Sequence, residues 1–134
     1  MKVSVFGNED VKEDNLVVKM VPVLRKKFPK VKFEIEDPTE GLKPPASGRG
    51  KPSDEEWVIL DVGKGIKGVK VFDDLEKLVD ERRVSLHDYD VSMELKLLKK
   101  IGRVKKIKII AVEVGMNVKK AEKAVVRKLK ELMD

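Results

Sequence analysis

The sequence predicts an α/β fold, a three-layer sandwich with a mostly parallel sheet of five to six strands and helices on both faces. Three observations carry this expectation. Short apolar or alternating runs recur between segments whose apolar residues keep helical spacing, the pattern of strand–helix–strand units. One run, Trp57-Val58-Ile59-Leu60, is continuously apolar, as a strand buried on both faces of a parallel sheet is. A length of 134 residues suits one domain spanning 1–134, large enough for its own core.

Along the chain, Lys2 to Phe6 alternates toward Val3 and Val5 and reads as a strand ending at Gly7-Asn8. From about Asp14 to Phe28, Leu16, Val17, Met20, Val21, Leu24 and Phe28 recur at helical spacing, with Pro22 expected to kink the helix or loosen its first turns. Val31 to Glu36 alternates apolar and charged residues as a half-buried strand. The segment 37–53 holds four prolines and three glycines and predicts a long flexible loop. The Trp57 strand is expected to end at Asp61-Val62-Gly63. Val69 to Phe72 reads as a short strand, followed by a helix from about Asp73 to Arg82. Val84-Ser85 is a brief extended stretch. Asp88 or Asp90 then caps a helix through Val91, Leu95, Leu98 and Ile101, stopped by Gly102. Ile107 to Val114 is the strongest strand. Asn117 caps a last amphipathic helix carrying Val118, Ala121, Val125, Leu129 and Leu132.

Composition closes several functional classes. The chain has no cysteine and one histidine, His87. Disulfides, thiolate metal clusters, cysteine nucleophiles, three-histidine zinc sites and a His-Glu-x-x-His protease are therefore excluded. Without disulfides, and with no apolar run near the roughly 18 residues of a membrane span, an intracellular, cytoplasmic protein without membrane insertion is expected. The net charge is +6, from 30 Lys and Arg against 24 Asp and Glu. The two signs are interspersed, glutamine is absent, and Lys and Glu dominate, as in ion-pair-rich thermophile proteins. The lysine-rich face of the last helix reads first as a solvated face. With six aromatic residues there is little for base stacking, so a nucleic-acid partner is the weaker reading.

Two nucleotide motifs fail on inspection. Gly63-Lys64-Gly65-Ile66-Lys67-Gly68 spells a dinucleotide fingerprint, but Val69-Lys70-Val71-Phe72 follows where a helix is required. A glycine-rich hairpin or turn fits better. Gly50-Lys51 resembles half a P-loop, but Pro52 supplies no hydroxyl for magnesium. No Gly-x-Ser-x-Gly elbow exists, and Ser85 lies too close to His87 for a serine triad. No nucleotide cofactor is expected.

One constellation survives. In a parallel sheet, ligands collect beyond the carboxyl ends of the strands. Asp14 at the entry of the first helix, Asp61 at the end of the apolar strand and His87 before a helix are expected there. Two carboxylates and an imidazole suit a borderline divalent ion such as nickel, zinc or cobalt, with positions left open for substrate. Taken singly, Asp14 also suits a helix cap, Asp61 a loop acceptor and His87 a surface residue.

Gly7-Asn8 after a short strand, the acidic pair Glu13-Asp14, Asp61 after an apolar strand, and Ser85-Leu86-His87 before a helix resemble the hydrogenase maturation proteases. These endopeptidases trim the C-terminus of the large subunit of nickel–iron hydrogenases. The resemblance runs nearly end to end, through Gly68-Val69, Gly102 and the Ile107 to Val114 strand. The family's Gly-Asn-x-Leu-x-x-Asp-(Asp/Glu)-Gly, laid on Gly7, puts its metal-ligating acid on Asp14; here Asp10 replaces leucine, Glu13 aspartate and Asn15 glycine. The resemblance implies that Asp14, Asp61 and His87 form the catalytic, metal-engaging set. It also implies that nickel arrives with the substrate, a hydrogenase large-subunit precursor. Glu13 and Asp88 are the available general bases, the loop at 37–53 the candidate substrate contact, and a monomer or small homo-oligomer the expected state. The competing class is a non-catalytic α/β binding module, a metal-handling protein or a basic nucleic-acid binder.

Overall fold

The computed structural model describes residues 1–7, 15–36, 56–64, 66–73, 85–86 and 106–133. In chain order these form β1 (Lys2–Phe6), α1 (Asn15–Lys27), β2 (Lys32–Glu36), β3 (Trp57–Lys64), β4 (Val69–Phe72), β5 (Ser85–Leu86), β6 (Ile107–Glu113) and α2 (Val118–Met133). The sheet runs in the order β2-β1-β3-β6-β4. β1 is parallel to both β2 and β3, and β3 is parallel to β6. β4 closes one edge antiparallel to β6, and the two-residue β5 lies antiparallel to the end of β3. The expected mostly parallel α/β sheet is therefore present.

Alternation decides which face each strand residue serves. Val3 and Val5, Val58, Leu60 and Val62, and Ile110 and Val112 point to one face. There they pack on Leu16, Val17, Met20 and Leu24 of α1 and on Ala121, Val125 and Leu129 of α2. The two helices also pack on each other, so both lie on this face. The opposite face carries Ser4, Phe6, Trp57, Ile59, Asp61, Ile109 and Ala111, all with no solvent exposure. Burial on both faces explains why Trp57 to Leu60 of β3 reads as a continuous apolar run. The helices expected after Asp73 and through Leu95 to Ile101 lie outside the described residues, as does the 37–53 loop.

Local chemistry sets the helix ends. α1 carries Arg25, Lys26 and Lys27 in its last turn, where cations complement the helix dipole. The Phe28 N–H donates to the Leu24 carbonyl at 2.9 Å. Pro29 disfavours helical geometry in Phe28, and the helix stops. Pro22 sits inside α1, which runs unbroken across it; the ring is exposed and leaves the buried stripe intact. α2 begins where expected, with Asn117 Oδ1 accepting from the Lys120 N–H at 3.2 Å. Among the described residues, no helix is long and apolar enough to cross a membrane.

Candidate functional site

β1, β3 and β6 are parallel, so their carboxyl ends share one edge of the sheet. α1 follows β1 and α2 follows β6, and both helices begin at that edge. Asp61 is the fifth residue of β3 rather than its terminal one, because the strand continues to Lys64. Two ladders extend it: Gly63 is opposite Glu113 of β6 and Leu86 of β5, and Lys64 is opposite Ser85. This corrects the expected strand end. Val62 adds one more inward apolar residue, and Gly63 remains in the ladder between two partner strands.

Asp61 is fully buried on the face away from α1 and α2, level with Ala111 in the register. Its Oδ1 accepts the Val62 N–H at 2.8 Å. A carboxylate shielded from water is costly unless its oxygens are engaged, and the Val62 N–H engages one of them.

Asp14 and His87 lie outside the described residues, as do Glu13 and Asp88. Each expected ligand is one peptide bond from a placed residue: Asp14 precedes Asn15, the first residue of α1, and His87 follows Leu86 of β5. Leu86 is opposite Gly63, two residues beyond Asp61 on the same strand. Among the described residues no group of three metal-ligating side chains gathers; Asp61 alone of the three expected ligands belongs to them.

The glycine-rich segment after β3 leads into strand β4, as its following residues suggest, and presents no helix N-terminus to a phosphate. It forms no hairpin with β3. The chain instead passes β6 and returns antiparallel along its far side. Gly68 takes a left-handed φ of 70°. Its carbonyl accepts the Glu113 N–H at 2.8 Å, and its own N–H donates to Glu113 Oε2 at 3.1 Å. Glu113, at the carboxyl end of β6, is thus committed to holding this turn.

Periodicity gave no sign of two buried polar pairs on the same face as Asp61. Trp57 Nε1 donates to Ser4 Oγ at 2.8 Å, joining β3 to β1. Lys2 Nζ lies 3.0 Å from Glu36 Oε1 and 3.2 Å from Glu34 Oε2. Lys32 Nζ lies 2.9 Å from Glu34 Oε1. The Lys32 and Lys2 ammonium groups, hydrogen-bonded to Glu34, hold its carboxyl down at about 2. On the helix face of the carboxyl edge, a cleft of about 300 Å³ opens between the start of α1 and the β6–α2 turn.

The mostly parallel sheet, with α1 and α2 packed on one face, is similar to that of several solved structures. The solved structures it resembles include the [NiFe] hydrogenase maturation protease HybD from Thermococcus kodakarensis, with a TM-score of 0.62 at 19% identity, covering 99% of this chain and 98% of that one. A hydrogenase 2 maturation peptidase from a Thaumarchaeota archaeon matches with a TM-score of 0.54 at 20% identity, over 98% of this chain and 96% of that one. An uncharacterized protein from Wolinella succinogenes gives a TM-score of 0.55 at 18% identity, over 98% and 94% of the two chains. At these identities the likeness is one of fold. No family model matches the chain, and no curated protein matches its sequence.

Proposed function

We propose that this protein is an endopeptidase that removes the C-terminal extension of a nickel–iron hydrogenase large-subunit precursor after nickel insertion. The nickel held by the precursor serves as the recognition signal, and Asp14, Asp61 and His87 engage it. The end-to-end likeness in fold to two maturation peptidases supports the reaction class. One observation of this chain carries the site. Asp61 is a fully buried carboxylate, and the strand that bears it is paired, two residues further on, with the Leu86 that immediately precedes His87. The donor set of two carboxylates and an imidazole fits a borderline divalent ion. A metal so held would be able to polarise a peptide carbonyl and lower the pKa of a bound water. Asp61 contributes a ligand kept in place by the Val62 N–H.

The test is incubation with a purified, nickel-loaded large-subunit precursor. Wild type is expected to shorten it, and His87→Ala to leave it intact. Failure to shorten the precursor at any nickel loading overturns the proposal. A salt-sensitive gel shift with nucleic acid in that same protein would transfer support to the binding-module reading.

A further inference from the structure

The cleft at the carboxyl edge is lined by Asn15, Leu16 and Lys19 of α1, by Val114, Gly115 and Met116 of the turn after β6, and by Val118 of α2. Its walls are mainly apolar: Leu16 belongs to the core, and Val114, Met116 and Val118 pack against that core while staying partly exposed. Gly115 is exposed, with a φ of 78° and open space where a side chain would project. Among the described residues, one charged side chain lines the cleft, the exposed Lys19. The first turns of α1 and α2 contain no acidic residue. Among the described residues, the cleft is therefore an apolar slot whose walls carry one cation and no carboxylate.

A volume of about 300 Å³ lies at the small end of ligand sites, room for one or two side chains rather than a long peptide. An apolar side chain fits the slot, and an anion beside it fits Lys19. A C-terminal residue of a peptide unites those groups in one compact unit, since its α-carboxylate is attached to the carbon that bears its side chain. We infer that this cleft docks the free C-terminal end of the peptide extension, with an apolar terminal residue in the slot and its carboxylate on Lys19 Nζ. This inference rests on the proposed endopeptidase activity for the identity of the peptide. The docking chemistry itself stands on the cleft. The tail would be gripped at the edge where α1 begins, one residue from Asp14.

The experiment is fluorescence anisotropy on the full chain with a labelled glycine-serine peptide ending in two leucines, as free acid and as C-terminal amide. Wild type is expected to bind the acid about threefold to fivefold more tightly than the amide, the scale of an exposed ion pair. Lys19→Glu should abolish that preference, and Met116→Trp, which fills the slot, should weaken both peptides. A circular-dichroism melt of each variant confirms that it folds. Equal binding of acid and amide by wild type, or no binding of either, overturns the inference. Self-association of wild type that Met116→Arg abolishes, without peptide binding, assigns the slot to a second copy of this chain and also overturns it. Precursor shortening is measured in parallel. Peptide docking without shortening defeats the endopeptidase reading alone, whereas shortening with no preference for the free acid defeats the docking inference alone.

Discussion

Trp57 Nε1 donates to Ser4 Oγ across the buried face of the sheet, at 2.8 Å and with both residues fully shielded from solvent. The indole N–H is a strong donor that an apolar interior leaves costly when unpaired, and the serine hydroxyl meets it. The bond ties β1 to β3, the pair on which the position of Asp61 depends.

Ser4→Ala should therefore cost about 1–3 kcal/mol, the scale for leaving a buried donor unsatisfied. Urea unfolding followed by the emission of Trp57, the sole tryptophan, measures it directly. A midpoint equal to wild type would show that the indole finds another partner.

Lys2 is buried against Glu36, and Glu36 Oε2 has no hydrogen-bond partner among the described residues. Lys2→Met leaves Glu36 as a shielded charge and should destabilise the protein by about 3–5 kcal/mol. Replacing both, as Lys2→Met with Glu36→Met, should recover most of that loss. Thermal melts of the two variants test the difference.

Glu34 contributes an acid-dependent increment. Its carboxyl lies near 2 in the folded protein against an ordinary value of 4.5, so folding favours the charged form. The increment is complete above about pH 4.5 and is lost as the pH falls toward 2. Because the side chain is partly exposed, its magnitude is that of a surface pair network, about 1 kcal/mol or less. The stability gap between wild type and Glu34→Gln should close over that interval; a gap that stays constant from pH 6 to pH 2 would contradict the ion-pair account.

Asp61→Asn keeps an oxygen for the Val62 N–H and removes the negative charge. It should fold like wild type while losing precursor shortening by two orders of magnitude or more, about the scale of a lost catalytic group. Asp61→Leu removes the acceptor as well and should lose about 1–3 kcal/mol of stability. Equal stability of the two variants would mean that the Val62 hydrogen bond contributes nothing.

Gly68→Ala should cost about 1–2 kcal/mol, because φ is 70° while no atom lies within 4 Å of the added carbon. Strain is then the whole cost. Gly68→Asn, which tolerates the left-handed region, should lose less in the same chemical unfolding series.

The strands were readable wherever alternation or an unbroken apolar run reported burial: β1, β4 and β6 fall within a residue of expectation. β3 runs to Lys64 because ladder pairing, which leaves no mark in side-chain polarity, carries the strand past the apolar run. The return of β4 antiparallel to β6 was hidden for the same reason: hydropathy is blind to strand direction. Of the candidate site, the place of Asp61 after Leu60 suggests a side chain emerging at the strand's end, whereas it is fully buried within β3; the Ser4–Trp57 and Lys2–Glu36 pairs join residues 53 and 34 positions apart that no local pattern connects. The cleft was equally invisible, since it forms only where two helix starts meet the end of a strand.

The placement of β6 between β3 and β4 also bears on how the chain is made. During synthesis β4 emerges well before the strand that holds it, and α1 waits for α2 over most of the chain's length. Pairings this distant make for slow closure. On the ribosome the nascent protein therefore keeps its sheet open beside β3 until β6 has been made, and an unpaired strand edge is prone to aggregation in that interval.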